Sequence, residues 1–153
     1  MRPMRPGDAS GFTMAELIVV VAIIGILAAF GLPMFLSYYQ GATLRAGSEE
    51  VLTILNTARQ LAISSNSTVC VTTTTTSAQY HVGGCGNAVY VGPGTDSAGN
   101  ITLTTAVQIT NNPQVAFSYL GGAITSGVYS VRNPADGRTQ TVTVTGSGRI
   151  TVP

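Results

Sequence analysis

The chain has 153 residues, enough for one membrane anchor and one small domain. Charged residues make up only 8%, the formal net charge is +1, and lysine and tryptophan are absent. That balance gives no reason to expect a general polyanion binder. The 44% apolar share is inflated by one run near the N-terminus. The remainder is rich in Thr, Ser, Gly and Val, a composition of strands and turns on an extracytoplasmic surface.

Residues 1–11 form a short polar leader with Pro3, Pro6 and Gly7, a processing segment to be set apart from fold reasoning. Leu17 to Leu36 then runs 20 residues without a charge or a strongly polar side chain. A helix of that length spans about 30 Å, the thickness of a bilayer's hydrocarbon core. Arg2 and Arg5 precede the run, so the expected N-terminus is cytoplasmic and the bulk of the chain lies outside. One acid, Glu16, stands at the rim of the span, and a Gly11-Phe12 step precedes it. Carrying a carboxylate to the bilayer centre costs about 2.5–3.5 kcal/mol, so retaining one here calls for a reason.

Gly11-Phe12-Thr13-Met14-Ala15-Glu16-Leu17 ahead of an apolar helix resembles the type III signal of type IV pilins and type II secretion pseudopilins. The resemblance covers roughly the first third of the chain. It implies cleavage after Gly11 by a membrane aspartyl prepilin peptidase and methylation of the new N-terminal Phe12. It further implies that Glu16, fifth after the cut, pairs with the N-terminal amine of a neighbouring subunit. Gly25 and Pro33 fall where that family places a helix-loosening glycine and a proline; Pro33 would clash with the carbonyl of Ala29 and kink the helix. Two blander readings compete. A secretory signal peptide has a shorter apolar stretch and a cleavage site after it, and Ala28-Ala29 would serve poorly. A plain single-span anchor explains the length but neither Gly11-Phe12 nor Glu16. For Glu16 itself the bland reading is an interfacial acid that reaches back to the headgroups.

The expected organisation is a cleaved leader over 1–11, a transmembrane helix half over 12–36, an amphipathic half over 37–66 and a β-rich extracytoplasmic domain over 67–153. In the amphipathic half Leu44, Val51, Leu55, Ala58 and Ala62 recur at helical spacing and need an apolar partner, most simply a sheet. Arg45 and Glu49, four apart, are placed to pair on the wet side, and Ser64-Ser65-Asn66-Ser67 is a stop. Beyond it the period changes to two. Candidate strands are Thr68–Thr73, Gln79–Val82, Ala88–Val91, Ile101–Leu103, Val115–Tyr119, Val128–Arg132, Gln140–Thr145 and Arg149–Val152. Asp136-Gly137 and Gly146-Ser147-Gly148 mark turns, and Val142, Val144, Ile150 and Val152 share one buried face. Thr72 to Thr76 fits either a strand or an exposed loop. The fold class is α+β: a pilin-like fold, with a long N-terminal helix packed on an antiparallel sheet. The helix-free second half and the ending Thr143-Val144-Thr145-Gly146-Ser147-Gly148-Arg149-Ile150 look most like H-type pseudopilins and FimT/FimU-like minor pilins.

Cys70 and Cys85 are expected to form a disulfide outside the reducing cytoplasm. The alternative is a zinc site with His81 between them, which no CxxC pair supports. His81, the single histidine, has neither a nucleophile elbow nor a paired carboxylate beside it, so no catalytic residue, cofactor or metal site is assigned. Asp96 and Asp136 are the only acids after Glu50, too few for a calcium cluster. Arg132, Arg138 and Arg149 fall in the last quarter. FimT-like DNA receptors carry Gly-Arg-x-Arg, but Thr151 stands where the second arginine would be. The three are kept as possible DNA contacts against the blander reading of solvated strand and turn charges. The resulting expectation is a non-enzymatic minor pilin or pseudopilin of the bacterial inner membrane, with a periplasmic C-terminal domain. Its expected partners are other pilins, the prepilin peptidase, the inner-membrane assembly platform and membrane lipid. The runner-up is a pilus-tip DNA receptor.

Overall fold

The computed structural model describes residues 11–153. The leader, with Arg2 and Arg5, lies outside the described residues apart from Gly11. The chain divides into two units, Met1–Tyr38 and Tyr39–Pro153, and one helix, α1 (Met14–Ser64), contributes to both.

In the first unit the helix is apolar all round and its side chains are exposed from Leu17 to Leu36. A helix without a polar face is made for an apolar surround. It is the one helix among the described residues long and apolar enough to cross a membrane. The helical assignment runs unbroken through Gly25 and Pro33.

The second unit sets the rest of α1 against two antiparallel sheets. β1 (Val69–Thr73), β2 (Ser77–Val82), β3 (Asn100–Thr102), β5 (Val115–Phe117) and β6 (Ala123–Thr125) form a five-stranded sheet in the order β3-β2-β1-β5-β6. β4 (Gln108–Asn111), β7 (Gly127–Arg132), β8 (Thr139–Val144) and β9 (Ile150–Thr151) form the second, in the order β4-β7-β8-β9. Leu44, Val51, Leu55, Ala58 and Ala62 are all buried, and they share a core with Val69, Val71, Phe117, Tyr129, Val131, Val142 and Val144. Fully burying each large apolar side chain contributes about 1.5–3 kcal/mol. Gly47 joins the stripe for a steric reason: a Cβ there would meet the Val107 methyls and the Thr105 hydroxyl within 3.0 Å. The helix stops in a Schellman motif. Asn66 takes a left-handed φ of 47°, and the Ser67 and Asn66 amides bond back to the Ala62 and Ile63 carbonyls at 3.1 and 3.3 Å.

Several sequence expectations are corrected. Ala88–Val91 is not a strand, since only Val89 makes a single bridge, to His81. β4 and β6 were not expected. The helix begins at Met14, with Phe12 and Thr13 outside it. Arg45 and Glu49 form no ion pair; among the described residues the pair within 4.0 Å is Arg138–Asp136, at 3.4 Å. The threonine tract divides: Thr72 and Thr73 belong to β1, while the Thr74 hydroxyl takes the Ser77 amide at 3.1 Å and starts the turn into β2.

Two constraints hold the irregular part of this unit. Cys70, fully buried on β1, is disulfide-bonded to Cys85 with Cα atoms 4.9 Å apart, which anchors the start of the long β2–β3 connection. On the helix, Glu50 receives four hydrogen bonds from the segment after β3. The Thr104 amide and hydroxyl lie 2.7 and 2.9 Å from Oε1, and the Thr105 amide and hydroxyl lie 3.3 and 2.8 Å from Oε2. Burial raises the carboxyl pKa, but these four donors outweigh it and hold it below the ordinary glutamate range.

Two outcomes follow for thermal unfolding of the full chain in detergent. A group with a depressed folded-state pKa lends stability above the ordinary carboxylate range and loses it as the pH falls through its folded value. Glu50→Gln is therefore expected to cost about 1–2 kcal/mol at pH 7 and less at pH 3; an equal cost at both would contradict the clamp. Replacing Cys70 and Cys85 together by Ser is expected to cost about 3 kcal/mol, the closure entropy of a loop this size. Limited proteolysis of that variant should cut first within 83–99, and unchanged cleavage there would show the disulfide to be dispensable.

Candidate functional site: the N-terminal processing and assembly segment

The segment from Gly11 to Leu17 is built by the way the helix begins. Gly11, Phe12 and Thr13 precede the first helical turn and are exposed. Thr13 is the N-cap: its hydroxyl accepts the Glu16 amide at 3.2 Å, and its carbonyl accepts the Leu17 amide at 3.2 Å. Thr13-Met14-Ala15-Glu16 has the Thr-x-x-Glu spacing of a capping box, a signal that the sequence reading passed over. Glu16 lies in the first turn, where the helix dipole favours a carboxylate by about 0.3–1 kcal/mol. Its carboxylate makes no hydrogen bond or ion pair to any described residue. The cap thus fixes where Glu16 stands along the helix and leaves its charge uncommitted. Phe12 is 82% exposed.

The other residues singled out from the sequence fall elsewhere. His81 lies on β2 directly opposite Cys70. Its Nδ1 donates to the Asn87 carbonyl at 2.8 Å, and its Nε2 meets the Thr72 hydroxyl at 3.0 Å. The thiolates that a zinc site would need are joined in the disulfide.

The three C-terminal arginines are not one cluster. Arg132 reaches over Gly137, and the Arg138 guanidinium passes beside Gly41 of α1 while pairing with Asp136. The Asn133 side chain fastens the same loop to the Gln40 carbonyl at 3.2 Å. Arg149 follows Gly148, which packs on Gly121, itself beside Arg59 and Ile63 near the other end of the helix. Since Arg132 faces Thr139 and Ile150 faces Val144, about 17 Å of β8 separates the two ends.

Comparisons with known proteins agree with the segment and the fold. The family described as Type II transport protein GspH matches residues 48–148, and the Prokaryotic N-terminal methylation motif matches residues 8–32. A fimbrial protein of Pseudomonas aeruginosa is 30% identical over 134 residues, covering 83% of this chain and 80% of that protein. Two crystal structures of the Pseudomonas aeruginosa type IV minor pilin FimU share the fold. The first has a TM-score of 0.53 at 14% identity, covering 76% of this chain and 92% of FimU. The second has a TM-score of 0.51 at 13% identity, covering 72% and 92%. A capped, exposed methylation segment, an apolar helix and a GspH-matching β domain converge on one conclusion: the chain belongs to the GspH family of type IV pilin-like proteins, as a membrane-anchored minor pilin or pseudopilin.

Proposed function

We propose that the chain is a non-enzymatic structural subunit, cut by the prepilin peptidase after Gly11 and methylated on Phe12. It waits in the inner membrane with its N-terminus cytoplasmic and its C-terminal domain periplasmic. From there the assembly platform moves it into a type II secretion pseudopilus or a type IV pilus, beside other pilins. The observation that carries this reading is the uncommitted Glu16 carboxylate, fixed by the Thr13 cap four positions beyond the residue that cleavage would make N-terminal. In a filament, a neighbour's new amine and Glu16 would meet in a low-dielectric surround. There opposite charges attract strongly, and each alone is penalised. Gly25 and Pro33 would loosen the span: Pro33 has no amide to give Ala29, and packed neighbouring helices would help satisfy that carbonyl.

Intact mass of membrane-extracted protein is expected to show a chain starting at methylated Phe12; a mature chain starting at Met1, or beyond Ala29, would rule out this processing. Glu16→Gln is expected to be expressed, cleaved and inserted normally, yet largely missing from sheared filaments and from crosslinks to partner pilins. Removing one member of a buried ion pair costs about 3–5 kcal/mol, a factor of roughly one hundred to several thousand. Wild-type amounts of the variant in the filament fraction would return Glu16 to the role of an interfacial acid.

A further inference from the structure

Of the four sheet edges in the second unit, three carry at least one hydrogen bond from elsewhere in the chain. The β4 edge gives its Ile109 amide to the Thr75 carbonyl at 2.8 Å, and the β6 edge gives its Ala123 amide to the Gly146 carbonyl at 3.1 Å. On the β3 edge, the Asn100 amide donates to Asp96 Oδ1 at 2.7 Å and its carbonyl accepts the Asp96 amide at 2.9 Å. Covering an edge is how sheets avoid pairing with other chains. β9 has no such cover among the described residues. It pairs with β8 through Thr143–Thr151 and Val144–Ile150, and with Gln140, Val152 and Pro153 it lines an open groove of about 520 Å³. The groove's facing wall is α1, at Arg45, Glu49 and Leu52. Arg45 and Glu49 are exposed and form no ion pair with each other or with another described residue.

We propose that this slot takes an extended segment of a partner chain, which adds a strand to β9 and presents an acid and a base, two residues apart, to Arg45 and Glu49. Backbone bonds to a free edge supply the attachment in strand addition, and alternate side chains supply the selectivity. The spacing agrees. Arg45 and Glu49 are separated by about 6 Å along the helix, and alternate side chains on a strand by about 6.6 Å.

The order of the two charges follows from chain direction. β8 starts after the Asn133–Arg138 loop, which is fastened at Gln40 and Gly41, and ends near the Gly146–Gly148 turn, which packs toward Arg59 and Ile63. β8 therefore runs with α1, and β9 returns against it, bringing Pro153 back to the Gln140 side chain, which bonds its carbonyl at 3.2 Å. A strand added antiparallel to β9, the more stable arrangement, runs with α1 and passes Arg45 before Glu49. Its sequence is acid-x-base. This surface rests on the filament reading only for its biological partner; its chemistry can be read without a filament, so its failure leaves that reading standing.

The test uses the full chain in detergent micelles and a fluorescein-labelled peptide, acetyl-Thr-Val-Glu-Thr-Arg-Val-Thr-amide, followed by anisotropy. Saturable binding is expected, at least tenfold weaker for the peptide with Glu and Arg exchanged and for one N-methylated along its pairing edge. The double variant Arg45→Glu with Glu49→Arg, two changes on an exposed helix face, should reverse the preference between the two charge orders. Equal binding of both orders, binding that survives N-methylation, or no saturation up to millimolar peptide would overturn the proposal. So would self-association that competes with the peptide, which would give the slot to a second copy of the chain.

Discussion

A single helix serves two different solvents, and the sequence of α1 is divided accordingly. From Leu17 to Leu36 no face is polar, so the segment is stable only where water is absent. From Leu44 to Ala62 one stripe is apolar and is buried against β-strands, while Arg45, Glu49 and Gln60 stay wet. Neither part could be exchanged for the other. An all-round apolar second half would leave a large exposed apolar surface on the domain. A charged face in the first half would cost several kcal/mol in lipid. Glu16 is the exception, tolerated at the rim by the helix dipole and available for a partner's charge.

The β domain, by contrast, is fastened by few but well-placed polar contacts. Its core is almost wholly Val, Leu, Ile, Ala and aromatic side chains. The Cys70–Cys85 bridge and the Glu50 carboxylate tie connections that have little apolar surface of their own. Glu50 works as an anion does at a helix N-terminus: one carboxylate gathers two adjacent backbone amides and the two hydroxyls beside them. The Asn133–Arg138 loop is held by the same logic, with the Asn133 side chain both capping its own turn and reaching the helix.

What could be read in advance follows the range of the interactions. The helix, its buried stripe and its stop were legible because periodicity and caps are local; Asn66 in the left-handed region is what the Ser-Ser-Asn-Ser stop needs. The disulfide was legible from compartment and from a count of two cysteines. β4 and β6 were not, because Gln108–Asn111 and Ala123–Thr125 are short and polar, and they become strands only by pairing with β7 and β5. Ala88–Val91 looked like a strand locally, but the loop after Cys85 brings only Val89 to the sheet. The Glu50 clamp joins residues 54 apart in sequence, beyond any local signal. At the candidate segment Gly11, Phe12 and Glu16 stand out by resemblance to the pilin signal. The Thr13 cap is written locally as Thr-x-x-Glu, overshadowed there by the Gly11-Phe12 and Glu16 register.

In an assembled filament Glu16 is proposed to meet the amine of a neighbouring pilin. Zero-length carbodiimide coupling on sheared filaments, followed by peptide mass spectrometry, tests it most directly, because the reagent joins only a carboxylate and an amine already in contact. Assembly through Glu16 predicts an amide between the Glu16 side chain and the N-terminal residue of an adjacent pilin. Filaments that contain the chain, couple efficiently elsewhere and leave Glu16 unlinked would contradict it.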